Sequence, residues 1–194
     1  MKITYQVKFY SDWHCGSGLA AGADVDALVI KDKNKLPYIP GKTIKGLIKE
    51  AVDDLFSFRK ESMKPSDVED KQKLLNKSFG YIIDKDNTRQ GLMFFSNANI
   101  PSKIAQAIVD RKQQEFLYRS VSSTSIENNG IAKNHSLRRI ETTVPCQLEG
   151  SIEGIPEELK EDITDALKYI KRLGMNRNRG LGRCCFTIIE EEKK

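Results

Sequence analysis

Pro156-Glu-Glu-Leu-Lys-Glu-Asp-Ile-Thr-Asp-Ala-Leu-Lys-Tyr-Ile-Lys-Arg-Leu-Gly174 reads as a helix laid between two strands, and that placement decides the fold class. Proline at the first turn and acids behind it suit a helix start, where the macrodipole favours negative charge. Leu159, Ile163, Leu167 and Ile170 recur at helical spacing and predict one buried stripe, and Gly174 is the expected C-cap. Upstream, Val144, Cys146, Leu148 and Ile152 alternate as in a strand, and residues 183–190 predict another.

The N-terminal half repeats this arrangement. Ile3, Tyr5, Val7 and Phe9 share one face by the period of two, so the chain opens on a strand and not a signal peptide. Ile44, Leu47, Ile48, Ala51 and Leu55 mark a second helix, with Lys42, Lys45 and Lys49 off its apolar face. Gly91-Leu-Met-Phe-Phe-Ser96 predicts a second, buried strand. The order is α+β, a ferredoxin-like (RRM-like) βαββαβ core with two helices on one face of an antiparallel sheet.

Two segments fall outside that core. Residues 59–77 are charged and weakly periodic, an exposed insertion expected to be helical in part. Residues 113–142 lose apolar periodicity and gain Ser, Thr and Asn, with Asn129-Gly130 as a turn signal. They predict a protruding thumb-like hairpin ordered by a partner. The expected organisation is one domain over 1–194, its core made of 1–58, 78–112 and 143–190.

Composition excludes several classes. Charged residues make up 30% of the chain and no apolar run approaches the roughly 20 residues that span a bilayer, so a cytoplasmic protein without a membrane partner is expected. Cys15, Cys146, Cys184 and Cys185 lack C-x-x-C spacing, which argues for reduced thiols over zinc. The net charge of +5 is modest, but its distribution is not. No acid occurs between Asp165 and Glu190, a span that holds Lys168, Lys171, Arg172, Arg177, Arg179 and Arg183. Such a stripe is the footprint of phosphate binding.

Within that span, Gly174-Met-Asn-Arg-Asn-Arg-Gly-Leu-Gly-Arg183 combines glycines with arginines. Missing Cβ atoms let a backbone approach, and Arg177, Arg179 and Arg183 add charge-assisted donors, so the loop is read as a cradle for RNA. Trp13-His-Cys-Gly-Ser-Gly18 is a glycine turn after the first strand. Gly41-Lys42-Thr43 ends like a Walker A loop but lacks its earlier glycine, so NTP binding is not expected. The helix start there, with Lys42 and Lys45, is a candidate phosphate contact.

The ordered set Trp13-His-Cys-Gly-Ser-Gly18, Asp26-Ala-Leu-Val-Ile-Lys-Asp32, Leu36-Pro-Tyr-Ile-Pro-Gly41, Lys45-Gly46, Phe94-Phe-Ser-Asn-Ala98 and Gly180-Leu-Gly-Arg183 resembles the RAMP superfamily of CRISPR proteins. Within it the sequence is most similar to the backbone subunit of type III antiviral effector complexes. The resemblance implies copies stacked along a guide CRISPR RNA beside other effector subunits, with a thumb drawn from 122–149. It implies guide contacts from His14, Gly16, Gly18, Lys42, Lys45, Lys49, Arg177, Arg179, Gly180, Gly182 and Arg183. It also implies endoribonuclease cleavage of paired target RNA by a loop aspartate that holds a divalent metal, Mg²⁺ or Mn²⁺. The matching position is Asp26, with Asp24 as the fallback. Two other readings stay open: a metal-independent nuclease that processes precursor CRISPR RNA through His14, and a subunit that binds RNA without cutting it.

Overall fold

The computed structural model describes residues 1–20, 25–84 and 87–192. In chain order the strands are β1 (Lys2–Phe9), β2 (Tyr38–Ile39), β3 (Gly80–Ile82), β4 (Thr88–Gln90), β5 (Phe94–Phe95), β6 (Ala98–Asn99), β7 (Tyr118–Ser123), β8 (Arg138–Thr143), β9 (Gln147–Glu153) and β10 (Cys184–Glu192). The helices are α1 (Gly41–Arg59), α2 (Pro65–Phe79), α3 (Ser102–Asp110) and α4 (Lys160–Tyr169).

The main sheet is antiparallel and runs β10-β1-β9-β6-β2, with β5 also paired to β9. β10 forms one edge and ends in Glu190, Glu191 and Glu192. The period of two in β1 does its expected work: Ile3, Tyr5, Val7 and Phe9 are buried. α1 and α4 cover this face with Ile44, Ile48, Ala51 and Val52 from one helix and Ile163, Ala166 and Leu167 from the other. Leu159 and Ile170, just outside α4, complete its stripe. One hydrophobic cluster joins all of these residues.

Three local expectations are corrected. The strand expected over 91–96 is shorter, Phe94–Phe95 alone, and pairing resumes at Ala98–Asn99 after a break at Ser96 and Asn97. The Ser96 hydroxyl accepts the Ser151 amide at 2.8 Å, and Asn97 Oδ1 accepts the Gly41 amide at 2.8 Å. Gly174 is not the cap of α4, which ends at Tyr169 when Ile170 turns extended. The charged stretch 59–77 is mostly exposed, as expected, and its helical part is the larger one: Leu75 within it and Phe79 just beyond it close the core, Phe79 stacking on Phe95 at 5.9 Å. α3 lies in a stretch read without any helix and buries no residue fully.

The segment 113–142 holds the β7–β8 hairpin. Its root is buried at Thr142 and Thr143, and residues 119–137 are exposed apart from a half-buried Ser136. No helix among the described residues is long and apolar enough to cross a membrane.

Candidate nucleic-acid interface

Three segments remote in sequence meet at the end of β1: the turn after that strand, the C-terminal glycine loop, and the hairpin root. Trp13 and Thr143 exchange backbone hydrogen bonds at 3.0 and 2.8 Å, which ties the turn to the hairpin. Met175 donates to the His14 carbonyl at 2.9 Å and Gly182 to the Asp12 carbonyl at 2.7 Å, which ties the turn to the loop. Arg183 donates its amide to Ser11 Oγ at 3.0 Å.

This docking explains the glycines and corrects one reading of them. Gly174 and Gly182 have φ of +97° and +71°. A Cβ on Gly174 would overlap the His14 carbonyl, and one on Gly182 would overlap the Leu173 carbonyl. Gly182 is buried, so it serves chain against chain and offers RNA nothing. Gly180 is the open one, exposed at φ +92° with no atom within 4 Å of its Cβ position. Gly16 and Gly18 are likewise exposed on the first turn.

His14 is corrected more sharply, since its side chain is wholly buried. Nδ1 donates to the Glu141 carbonyl at 2.6 Å, and the buried Nε2 has no partner. It therefore has no surface for guide RNA or for acid–base work on a phosphodiester. Its place is under the joint, between turn and hairpin.

Asp26 is exposed and engaged on one side. Its amide donates to the Arg139 carbonyl at 2.8 Å, and Arg139 donates back to Asp26 Oδ2 at 2.7 Å. Oδ1 has no partner among the described residues. Asp24 lies outside the described residues. Glu141 holds the same loop from behind: its carboxylate accepts the Val29 amide at 3.0 Å and the Lys31 ammonium at 2.8 Å, and its own amide donates to Ala27 at 3.0 Å. Lys31 also lies 3.9 Å over the Tyr118 ring. The Asp26 loop and the hairpin root are thus one hydrogen-bonded body.

No group of three His, Cys, Asp or Glu able to hold a metal occurs among the described residues. Asp26 offers one carboxylate oxygen, which fits as a single ligand but does not make a cage for Mg²⁺ or Mn²⁺. The four cysteines are free thiols. Burial pushes Cys146 up to about 11 and Cys184 up to about 12.

The basic residues divide between two faces. Arg177 turns to α1, pairing with Glu50 at 3.2 Å, while Arg172 donates to the Arg177 carbonyl at 2.9 Å. Arg183 and Lys8 flank the exposed Tyr10 ring at 6.0 and 5.4 Å. On α1, Lys42 is exposed and Lys45 and Lys49 are half-buried, and Asn97 takes the Gly41 amide at the helix start. That removes one leading amide from a phosphate and leaves the lysine side chains available.

Arg179 turns the other way. With Lys133, His135 and Arg138 of the hairpin it lines a polar cleft of about 430 Å³, together with serine and threonine hydroxyls and, among the described residues, no acid. Sequence reading singled out Arg179 and missed the other three. The excess of arginine and lysine over acid in the second half of 113–142 was the available signal. Three cationic side chains and an imidazole beside hydroxyl donors suit phosphate oxygens.

A family model described as the RAMP superfamily matches residues 6–185. No curated protein matches the chain in sequence. In three dimensions the chain is similar to one in the type III-B Cmr-beta complex bound to cognate target RNA, at a TM-score of 0.66 and 12% identity over 97% of each chain. The apo state of type III-B Cmr-beta gives 0.65 and 12% over 98% of each. A chain of a type IV-B CRISPR complex gives 0.65 and 11%, over all of this chain and 92% of that one.

Proposed function

The chain belongs to the RAMP superfamily, and from that premise we propose that it is a guide-RNA-binding backbone subunit of a type III CRISPR effector complex, acting in the cytoplasm in antiviral defence. The observation that carries the reading is the cleft between Arg179 and the hairpin residues Lys133, His135 and Arg138, which no acid lines among the described residues. In this reading the main sheet with α1 and α4 is a ferredoxin-like core and β7–β8 is its thumb. Their shared cleft takes guide phosphates, and copies of the chain repeat along the strand beside other effector subunits. The similarity to Cmr-beta and type IV-B chains supports the frame on which this is built.

Purified protein is expected to carry RNA of guide length and to form a repeating assembly on it. Arg138→Ala with Arg179→Ala removes two phosphate partners, which flattens the salt dependence of binding to single-stranded RNA by about 1.4 in log–log slope. Equal affinity and slope in wild type and variant would rule the cleft out as the guide groove.

A second reading, target-RNA cleavage, is favoured by one observation: Asp26 keeps an oxygen free at the root of the hairpin. There it supplies one ligand position for a divalent ion, and RNA phosphate and water supply the others. The burial of His14 speaks against precursor processing through that residue. A subunit that binds guide and target without cutting is the outcome if EDTA and Asp26 variants leave target RNA unaffected.

A further inference from the structure

A second cationic cleft lies at the opposite end of the sheet from the hairpin root. The chain enters β9 from that root and leaves it at Glu153, next to Phe94, and the seven residues of β9 separate the two ends by roughly 20 Å at about 3.3 Å each. The last turns of α2 contribute Lys73, Asn76 and Lys77, the β3–β4 hairpin contributes Tyr81 and Arg89, and Leu92 closes the far side of a space of about 490 Å³.

The cleft is built before anything binds. Leu92 and Met93 donate their amides to the carbonyls of Lys77 and Ser78 at 3.2 and 3.1 Å, stitching the hairpin neck to the end of α2. Gly80 and Gly91 face each other across that neck with no room for a Cβ on either. Tyr81 and Arg89 are register partners in the ladder, so both side chains stand on the same side of the hairpin.

Its chemistry is that of a nucleotide site. Among the described residues three cations line it and no acid does. Lys77 and Arg89 have no ion-pair partner among the described residues, and Lys73 has only exposed, weak pairs with Glu69 and Asp70 at 3.9 and 3.5 Å. Tyr81 is 38% exposed and Leu92 54%, apolar surface that the core does not use. Asn76 and Gln90 supply planar amides that can donate to and accept from base edges. Cations that track phosphates beside an aromatic face are how single strands are held without a sequence code.

We infer that this cleft binds one or two nucleotides of single-stranded RNA, a base against Tyr81 and phosphates on Lys77 and Arg89, as a contact separate from the hairpin cleft. The inference rests on the RNA-binding reading for the source of the strand.

The test is photocrosslinking of the full chain to single-stranded RNA carrying 4-thiouridine, followed by peptide mapping. A crosslink at Tyr81 is expected, and it persists in the Arg138→Ala/Arg179→Ala variant at saturating RNA. Tyr81→Phe keeps binding and Tyr81→Ala weakens it, while Lys77→Ala/Arg89→Ala lowers the salt slope by about 1.4. Placing the label in a guide or in a target strand distinguishes which one enters. Crosslinks confined to the hairpin and glycine loop overturn the inference and leave the proposed function standing. Protection of Tyr81 by an acidic protein surface, without a crosslink, also overturns it. Absence of any RNA binding removes both.

Discussion

Gly174 lies directly against the carbonyl of His14, close enough that a Cβ would overlap the oxygen. That approach allows Met175 to reach the same carbonyl at 2.9 Å and fixes the C-terminal loop on the first turn. Gly174→Ala and Gly182→Ala each combine left-handed strain with overlap against backbone, and each is expected to cost about 2–4 kcal/mol. Gly180→Ala carries strain alone and costs about 1 kcal/mol. Thermal unfolding of the three variants checks the order, and a Gly180 variant as unstable as the other two would contradict this account of the loop.

Substitution of His14 separates a buried joint from an RNA contact. His14→Ala removes the bond to the Glu141 carbonyl and leaves a void, for an expected loss of about 2–4 kcal/mol. RNA affinity measured well below the variant's Tm is expected to stay near that of wild type. A stable His14→Ala protein with sharply reduced affinity would return the residue to the binding surface.

Asp26 carries two separable roles. Asp26→Asn keeps an oxygen for the Arg139 amide, and Asp26→Ala keeps none. Amide exchange at Arg139 is therefore expected to accelerate in the alanine variant alone. Target-RNA cutting, if Asp26 performs it, disappears in both. Persistent cutting in Asp26→Asn places the chemistry elsewhere.

Two thiols, half-buried Cys146 and buried Cys184, set an alkaline limit. Cys146 and Cys184 rise from an ordinary 9.0 to about 11 and about 12 through burial. Below pH 9 both folded and unfolded chains keep these protons, so the stability is fully present. As pH rises from 9 towards 11–12 the unfolded chain releases protons that the folded chain retains, and stability falls. Urea midpoints measured across that range are expected to decline, less steeply in Cys184→Ala. The same thiols should label slowly in the native protein at pH 8 and rapidly in urea.

The sequence made the core legible where a period repeats. β1 buries a stripe at a period of two and α1 and α4 bury theirs at helical spacing, so Tyr5, Ile48 and Ile163 could be placed inside from pattern alone. α2 was legible only in part because it buries little beyond Leu75 and Phe79, leaving a charged majority that masks any period. The hairpin cleft was half legible. Arg179 stood in an acid-free stretch, whereas Lys133, His135 and Arg138 meet it only through folding. His14 shows the reverse failure, since a polar residue in a glycine turn reads as exposed until the hairpin root is seen to meet its ring at the Glu141 carbonyl.

β10, at the rim of the sheet, has a consequence for life at high concentration. A rim strand with a free row of amides and carbonyls is a template for another strand, and a chain that gathers in many copies would be prone to pair there at random. Ile189 is 52% exposed on that rim, yet Glu190, Glu191 and Glu192 follow at once. Mutual repulsion between glutamates of two such rims guards against fibrous aggregation, leaving copies to associate through other surfaces.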